Sequence, residues 1–265
     1  MEIDKIYNED CIETMKRMPD NFIDLTVTSP PYDNLRKYNG FCFDFENVAK
    51  QLYRVTKEGG VLVWNVGDGT VDGSETCTSF RQAIYFVEIG FKLNDTMIWR
   101  KTNPMPQVLQ KRYRQVFEYM FVFSKGLVST FNPIMEDCQK KGKMYNSTVK
   151  NMGGEKGRTF KTFAINDKKA LDNVWDIGVA QNKTEHPAVM PEKLAADHIR
   201  SWSNEGDLVY DCFMGSGTTA KMAMTLNRHY IGSEISEEYC KIIDKRLMPL
   251  KTQYRLFDPT PLLPK

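Results

Sequence analysis

Short apolar runs alternate with segments of helical periodicity over most of the chain. Ile23–Thr28 and Val61–Val66 are apolar, β-rich runs that predict strands, and the spacing of apolar residues from Phe45 to Val55 predicts a helix between them. The same criteria predict further strands over 96–99, 119–123, 173–177, 207–211 and 230–232, and further helices over 80–89, after 191, from 218 and over 236–247. This alternation of strand and helix predicts an α/β fold with a mostly parallel, doubly wound, Rossmann-like sheet.

The alternation stops between about Asn132 and Leu171. This segment is rich in Lys, Gly, Asn, Ser and Thr, and it includes Lys140-Lys141-Gly142-Lys143. Such a composition predicts an insert with loops that is partly disordered without its partner.

Charge is unevenly distributed along the chain. The net charge is only +2, from 36 Lys and Arg against 34 Asp and Glu. Between Arg100 and Ala170, however, the sequence has fifteen basic and five acidic residues, which leaves 21 basic and 29 acidic residues elsewhere. A basic block within an acidic protein is a candidate surface for a polyanion, although a solvated, flexible insert explains the charge equally well.

Composition excludes several classes of protein. With 265 residues, 41% hydrophobic and 26% charged, the chain suits one large soluble α/β domain with an insert. It shows no apolar run long enough for a membrane span and no signal peptide at its start. Its six cysteines and three histidines are scattered, which predicts free thiols in the cytoplasm and no metal site.

A glycine-containing turn follows the predicted strand 207–211. The segment Asp211–Thr218 places Gly215 and Gly217 at a strand-to-helix turn, where glycine allows positive φ and close approach of a ligand. The phosphate-loop pattern is absent, and the dinucleotide pattern fails because Ala220 stands at its third glycine position. The turn therefore suits a cofactor that carries a sulfonium and an amino acid group, such as S-adenosylmethionine.

Glu234 ends the next predicted strand, seventeen residues after Gly217. A carboxylate in that position can accept hydrogen bonds from both hydroxyls of a ribose. A surface glutamate at a strand end is the alternative interpretation.

The segment Ser29-Pro30-Pro31-Tyr32 directly follows the first predicted strand. Two prolines make the turn rigid and remove two N–H donors, so that carbonyl oxygens and the Ser29 hydroxyl can accept hydrogen bonds from an amino group. Such bonds free the nitrogen lone pair for in-line attack on a methyl group, while Tyr32 offers a face on which a flipped base can stack. A turn that merely ends a strand is the alternative.

These motifs resemble the DNA amino-methyltransferases that modify cytosine N4 or adenine N6. Thr28–Tyr32 is similar to the catalytic motif of that family, and Asp211–Gly217 to its cofactor loop. Tyr7–Cys11 is similar to the segment that contacts the cofactor's adenine, and His186–Leu194 to the segment beside its methionine part. The catalytic motif precedes the cofactor loop, which is the circularly permuted order of the beta group.

The resemblance implies roles for individual residues. It implies catalytic roles for Ser29, Pro30, Pro31 and Tyr32. It implies S-adenosylmethionine binding by Asp10, Cys11, His186, Asp211, Phe213, Gly215, Gly217, Thr218 and Glu234. Two positions depart from the family: Cys212 replaces the usual proline of the cofactor loop, and Ser29 replaces Asp or Asn, which favours cytosine N4 as the target.

The resemblance also makes the basic insert a target-recognition region. It implies a catalytic domain formed by residues 1–130 and 171–265, and an insert over about 100–170 that binds double-stranded DNA. The candidate DNA-binding residues are Arg112, Arg114, Lys141, Lys143, Arg158 and Lys161. The resemblance is also compatible with a homodimer. The alternatives are methylation of RNA or of a protein amide, and an inactive relative that only binds DNA.

Overall fold

A computed structural model describes residues 1–31, 44–104, 106, 111–140, 142–150, 158–180 and 189–257. For residues 145–150, 158–163 and 253–257 it describes the backbone alone. The described strands are β1 (Lys5–Tyr7), β2 (Ile23–Thr28), β3 (Thr56–Val66), β4 (Thr70–Val71), β5 (Ser74–Glu75), β6 (Lys92–Lys101), β7 (Phe117–Ser124), β8 (Met135–Asp137), β9 (Met144–Lys150), β10 (Arg158–Ala164), β11 (Lys168–Ala170), β12 (Val174–Ile177), β13 (Leu208–Asp211) and β14 (His229–Ser233). The described helices are α1 (Cys11–Lys16), α2 (Phe45–Val55), α3 (Thr78–Glu88), α4 (Glu192–Trp202), α5 (Thr218–Thr225) and α6 (Glu237–Phe257).

The chain divides into two compact units. Unit 1 consists of Met1–Asn132 and Asn173–Lys265, and unit 2 of Pro133–Asp172. Strands β6 and β7, whose sequence overlaps the predicted insert, belong to unit 1. None of the described helices is long and apolar enough to cross a membrane.

Unit 1 is built on an eight-stranded sheet in the order β1-β14-β13-β2-β3-β7-β6-β12. Strand β7 is antiparallel to its neighbours β3 and β6, and every other neighbouring pair is parallel. This confirms the predicted α/β fold with a mostly parallel sheet. Seven strands therefore end at one edge, which we call the carboxyl edge, and β7 begins there.

The core explains why the apolar runs form buried strands. In β2, Leu25 and Val27 point to one face and Thr26 to the other, and all three side chains are at most 1% exposed, so the strand is buried on both faces. The Trp64 ring packs edge-on against Phe86 at 5.1 Å between centroids, and its Nε1 donates to Gln82 Oε1 at 2.8 Å. The one polar atom of this ring is thereby satisfied inside the core.

Several element boundaries differ from the predictions. Helix α2 has the predicted range Phe45–Val55, but β3 begins at Thr56, five residues before the strand predicted at Val61. Helix α6 was expected to end at Leu247 and instead continues past Pro249. The sequence criteria did not predict β1 or α1, because three and six residues are too few to show a periodicity.

The insert predicted over residues 132–171 contains strands that the sequence did not predict. In unit 2, β9 and β10 pair antiparallel from Met144 opposite Ala164 to Lys150 opposite Arg158. Strands β8 and β11 form a second antiparallel pair. The polar composition concealed these strands, although β9 and β10 contain the Thr, Val, Tyr and Phe residues that favour extended backbone.

Candidate active site at the carboxyl edge

A direct hydrogen bond joins the two predicted site segments. Thr28 is the last residue of β2 and Asp211 the last of β13, and these strands are neighbours in the sheet. The Thr28 hydroxyl donates to Asp211 Oδ1 at 2.6 Å, and both side chains are buried. The Ser29–Pro31 turn and the glycine loop therefore leave the sheet side by side.

Asp211 organises the start of the glycine loop. Its Oδ1 also accepts from the backbone N–H of Phe213 at 3.0 Å, and its Oδ2 accepts from the Thr219 hydroxyl on α5 at 2.7 Å. Burial raises the pKa of this carboxyl, while its three hydrogen bonds favour the charged form and oppose that rise. The structure thus gives Asp211 a framework role, with its oxygens directed at protein groups.

The two glycines of the loop have different surroundings. Both have positive φ, +55° at Gly215 and +80° at Gly217. A Cβ on Gly217 would lie 2.9 Å from Cγ2 of Ile243 in α6, so the glycine is required for packing as well as for conformation. The loop is closed by hydrogen bonds from Gly217 N to Met214 O and from Met214 N to Ser233 O, both 2.9 Å.

Glu234 follows β14 and faces the glycine loop. Its Oε2 accepts from the backbone N–H of Gly215, and its Oε1 accepts from the N–H of Ser236, each at 2.8 Å. Burial raises the pKa of Glu234, which is 9% exposed, and these backbone N–H groups oppose the rise. Each carboxylate oxygen has a second lone pair available for a ligand hydroxyl.

The N-terminal segment lies against Glu234. The Glu234 N–H donates to Tyr7 O at 3.0 Å, and Asn8 Nδ2 donates to Glu234 O at 2.8 Å. Asp10 caps α1, accepting from Ile12 N at 2.7 Å, and Cys11 is buried with its pKa raised to about 12 by that burial and by the charge of Asp10. The structure therefore brings Tyr7 and Asn8, which precede Asp10 and Cys11, to the loop end of β14.

Arg246 on α6, which is not among the residues predicted from the sequence, holds the glycine loop by hydrogen bonds. Its Nη1 donates to Ser216 O at 2.6 Å, to Ser216 Oγ at 2.8 Å and to Thr218 Oγ1 at 3.3 Å. Its Nη2 donates to Glu192 Oε1 at 3.1 Å, and Lys221 pairs with the same oxygen at 2.6 Å. A single arginine on an amphipathic helix carries no sequence signal for such a contact.

The target-side turn is only partly described. Pro30 is buried, and Ser29 and Pro31 are half-buried. The half-buried ring of Phe213 packs edge-on against Trp64 with centroids 6.3 Å apart, so the loop rests on the core. Tyr32 and His186, two of the predicted site residues, lie outside the described residues.

The predicted DNA-binding residues fall in both units. In unit 1, Arg112 donates to Thr70 Oγ1 at 2.5 Å and to Gly73 O at 3.5 Å, and Arg114 is exposed. In unit 2, Lys143 is exposed; Lys141 and the side chains of Arg158 and Lys161 lie outside the described part of the chain. The described residues hold no group of three or more His, Cys, Asp and Glu side chains arranged for a metal ion.

Comparisons with known proteins find a matching family and similar relatives. The profile of a DNA methylase family, N6_N4_Mtase, matches residues 23–245. The orphan methyltransferase M.BamHII of Bacillus amyloliquefaciens is 54% identical over 239 residues, covering 85% of this chain and 88% of that protein. The type II methyltransferase M.BglII of Bacillus subtilis is 30% identical, covering 91% of this chain and 68% of that protein.

Solved structures share the fold. PvuII DNA methyltransferase, described as cytosine-N4-specific, superposes with a TM-score of 0.69 at 21% identity, over 95% of this chain and 91% of that one. The M1.HpyAVI–SAM complex superposes with a TM-score of 0.60 at 23% identity, over 92% of this chain and 99% of that one.

Proposed function

Since this chain belongs to the DNA methylase family that modifies cytosine N4 or adenine N6, we propose that it methylates a flipped-out base within a specific double-stranded DNA sequence. We further propose that S-adenosylmethionine is the methyl donor and that cytosine N4 is the acceptor. The observation that carries the proposal is the Thr28–Asp211 hydrogen bond. It sets a turn suited to an amino group beside a loop suited to a nucleoside cofactor.

Glu234 and Gly215 on the cofactor side support S-adenosylmethionine as the methyl donor. Glu234 is a buried carboxylate with free lone pairs at the loop end of β14, where ribose hydroxyls can donate to it. Gly215 offers backbone without a side chain, and Asn8 and Tyr7 hold Glu234 in place. When bound, S-adenosylmethionine supplies a methyl group made electrophilic by its sulfonium.

The target side supplies acceptors for an exocyclic amino group. Pro30 and Pro31 have no N–H, so the turn presents carbonyl oxygens and the Ser29 hydroxyl without competing backbone donors. Acceptors held in place bind the amino hydrogens and leave the nitrogen lone pair directed away from the base ring. Tyr32, next in sequence, is proposed to stack on the base after it leaves the duplex.

Serine at position 29 supports cytosine as the acceptor. Its hydroxyl is short and neutral, whereas the acidic or amide residue of the adenine-N6 relatives reaches further and accepts more strongly. Adenine N6 is the competing outcome, and the nucleoside product distinguishes the two.

DNA binding is proposed to use basic residues of both units. Of the excess of ten basic residues between 100 and 170, half lies in residues 100–132 of unit 1 and half in residues 133–170 of unit 2. Such residues would neutralise phosphates, so we expect binding to weaken steeply with salt. We propose that unit 2 contributes the contacts that select the target sequence.

Modification-sensitive sequencing of a methylation-free host that expresses the protein tests the function directly. We expect one short sequence motif to carry the mark, and N4-methylcytosine among the digested nucleosides. Pro31→Ala should abolish the mark while S-adenosylmethionine binding, measured by calorimetry, is retained. A methylated RNA or protein with unmodified DNA, or a wild-type protein that binds no S-adenosylmethionine, would overturn the proposal.

A further inference from the structure

Tyr113 has a solvent-exposed aromatic ring and lies within a basic segment. It is 99% exposed, compared with 81% for Leu127, and it lies in the connection between β6 and β7. Lys111, Arg112 and Arg114 surround it in the sequence. An aromatic ring flanked by cations matches a nucleic acid, which offers flat bases and a chain of phosphates.

This segment is anchored at its flanks. Arg112 donates to Thr70 Oγ1 of the β4–β5 hairpin at 2.5 Å and to Gly73 O at 3.5 Å. On the other side, the N–H of Lys101 donates to Val116 O at 2.8 Å. The guanidinium of Arg112 thus fixes the backbone next to Tyr113. The exposed ring therefore projects from a segment that hydrogen bonds hold in place.

The anchored segment lies at the carboxyl edge of the sheet. Strand β6 ends at this edge and β7 begins there, as does the turn that follows Thr28 at the end of β2. Counted from β2 across the sheet, β7 is the second strand and β6 is the third. At a spacing of about 4.8 Å per strand, the segment starts and ends roughly 10–14 Å from the turn. This is close to the width of a DNA groove, about 12 Å.

We propose that Tyr113 enters the DNA duplex and stacks in the gap that the flipped base leaves. The proposal rests on the proposed function, since it needs a target base that leaves the helix. An empty gap removes the stacking between the bases on either side of it, which costs free energy. A tyrosine ring in the gap restores part of this stacking while immobilising only two side-chain torsions. Lys111 and Arg114 bind the flanking phosphates and hold the ring at the gap.

Two substitutions and two duplexes test this role. The substitutions are Tyr113→Ala, which removes the ring, and Tyr113→Phe, which retains it. The first duplex carries the mapped target with a normal partner base. The second lacks the partner base opposite the target, so that the target leaves the helix at lower cost. Single-turnover methyl transfer is measured on both.

Tyr113→Ala should slow transfer on the paired duplex about tenfold, the effect of losing one base–aromatic stack. On the duplex with the unpaired target its rate should stay within about twofold of wild type, because the cost that Tyr113 offsets is already reduced. Tyr113→Phe should match wild type on both. Leu127→Ala serves as control, because Leu127 is 81% exposed but follows β7 at the opposite edge of the sheet.

Two results would overturn the inference. One is an unchanged rate of Tyr113→Ala on the paired duplex. The other is an equal loss on both duplexes, which would make Tyr113 an ordinary binding residue. Failure of the wild-type protein to methylate any DNA would instead refute the proposed function, so the two failures are distinguishable.

Discussion

The Thr28 hydroxyl donates a 2.6 Å hydrogen bond to Asp211 Oδ1, although 183 residues separate the two in the sequence. This bond links the last residue before the Ser29–Pro31 turn to the first residue of the glycine loop. The side chains of Thr28 and Asp211 are both buried, so replacing their hydrogen bond by bonds to water costs free energy. Together with the pairing of β2 and β13, this hydrogen bond fixes the relative position of the two halves of the site.

Thr28→Val should both destabilise the protein and misplace the turn. The substitution preserves shape but leaves Asp211 with one hydrogen bond fewer in a buried place, which should lower the free energy of unfolding by about 1–3 kcal/mol. A small displacement of the turn should lower the single-turnover rate of methyl transfer by roughly 10–100-fold. Urea denaturation and rapid-quench kinetics measure the two effects.

Thr219→Val is the matched control for this prediction. Thr219 donates to the other oxygen of Asp211 at 2.7 Å, but from α5 and not from the strand that leads to the turn. We expect a similar loss of stability with a much smaller loss in rate. Equal rates for the two variants would contradict a positioning role for Thr28.

Arg246→Met should weaken S-adenosylmethionine binding. Without the guanidinium, the carbonyl and hydroxyl of Ser216 lose their donor, and the glycine loop loses its support from α6. We expect an increase in the cofactor dissociation constant of roughly tenfold, as for the loss of a charge-assisted hydrogen bond. Calorimetry measures it. Lys221→Met is the control, because Lys221 shares Glu192 with Arg246, but among the described residues its ammonium group bonds to that carboxylate alone. Equal weakening in both variants would refute the assignment.

Glu234→Gln should change how stability depends on pH. Burial raises the pKa of Glu234 above its ordinary 4.5, so the folded protein holds this proton at pH values where the unfolded chain has released it. The contribution is therefore fully present below about pH 4.5 and is lost as the pH rises through the folded value. The difference in free energy of unfolding, wild type minus Glu234→Gln, should decrease as the pH is raised from 4 to 7. A difference that grows over this range would show that the folded pKa is lowered instead.

His198 should make the fold sensitive to acid. Burial lowers its pKa from 6.5 to about 3, and its Nδ1 has no hydrogen-bond partner among the described residues. Below pH 6.5 the unfolded chain binds a proton at His198 that the folded chain does not bind. The free energy of unfolding therefore falls with the pH, by about 1.4 kcal/mol per pH unit.

His198→Leu should remove this sensitivity. Relative to the variant, the wild-type protein should lose about 2 kcal/mol between pH 7.5 and pH 5. Urea midpoints of both proteins at the two pH values measure the difference. A constant difference between the proteins would show that His198 binds a proton in the folded state as readily as in the unfolded chain.

The sheet was predictable where apolar runs are long enough to show burial on both faces. Ile23–Thr28 and Leu208–Asp211 read as strands because nearly every side chain is buried, whichever way it points. Strands β9 and β10 escaped prediction because polar and charged residues interrupt their aromatic and β-branched ones. Pairing with each other, which local sequence does not encode, decides their structure.

The site was predictable where backbone geometry demands a residue type. The positive φ of Gly215 and the strand-end position of Glu234 leave traces in the sequence. Thr219 and Arg246 leave none, because their importance arises from contacts with residues brought close only by the fold. The role of Gly217 was only partly predicted, since Ile243 of a later helix also requires it.

Unit 1 is assembled from two stretches of chain, Met1–Asn132 and Asn173–Lys265, and this has a consequence during synthesis. Strand β2 pairs with β13, so its outer side stays unpaired until the ribosome has made about residue 211. An unpaired apolar strand is a template for aggregation. We expect ribosome-bound chains that stop before β13 to recruit chaperones. Methyl transfer would then be a property that the nascent protein acquires late, after Glu234 has emerged.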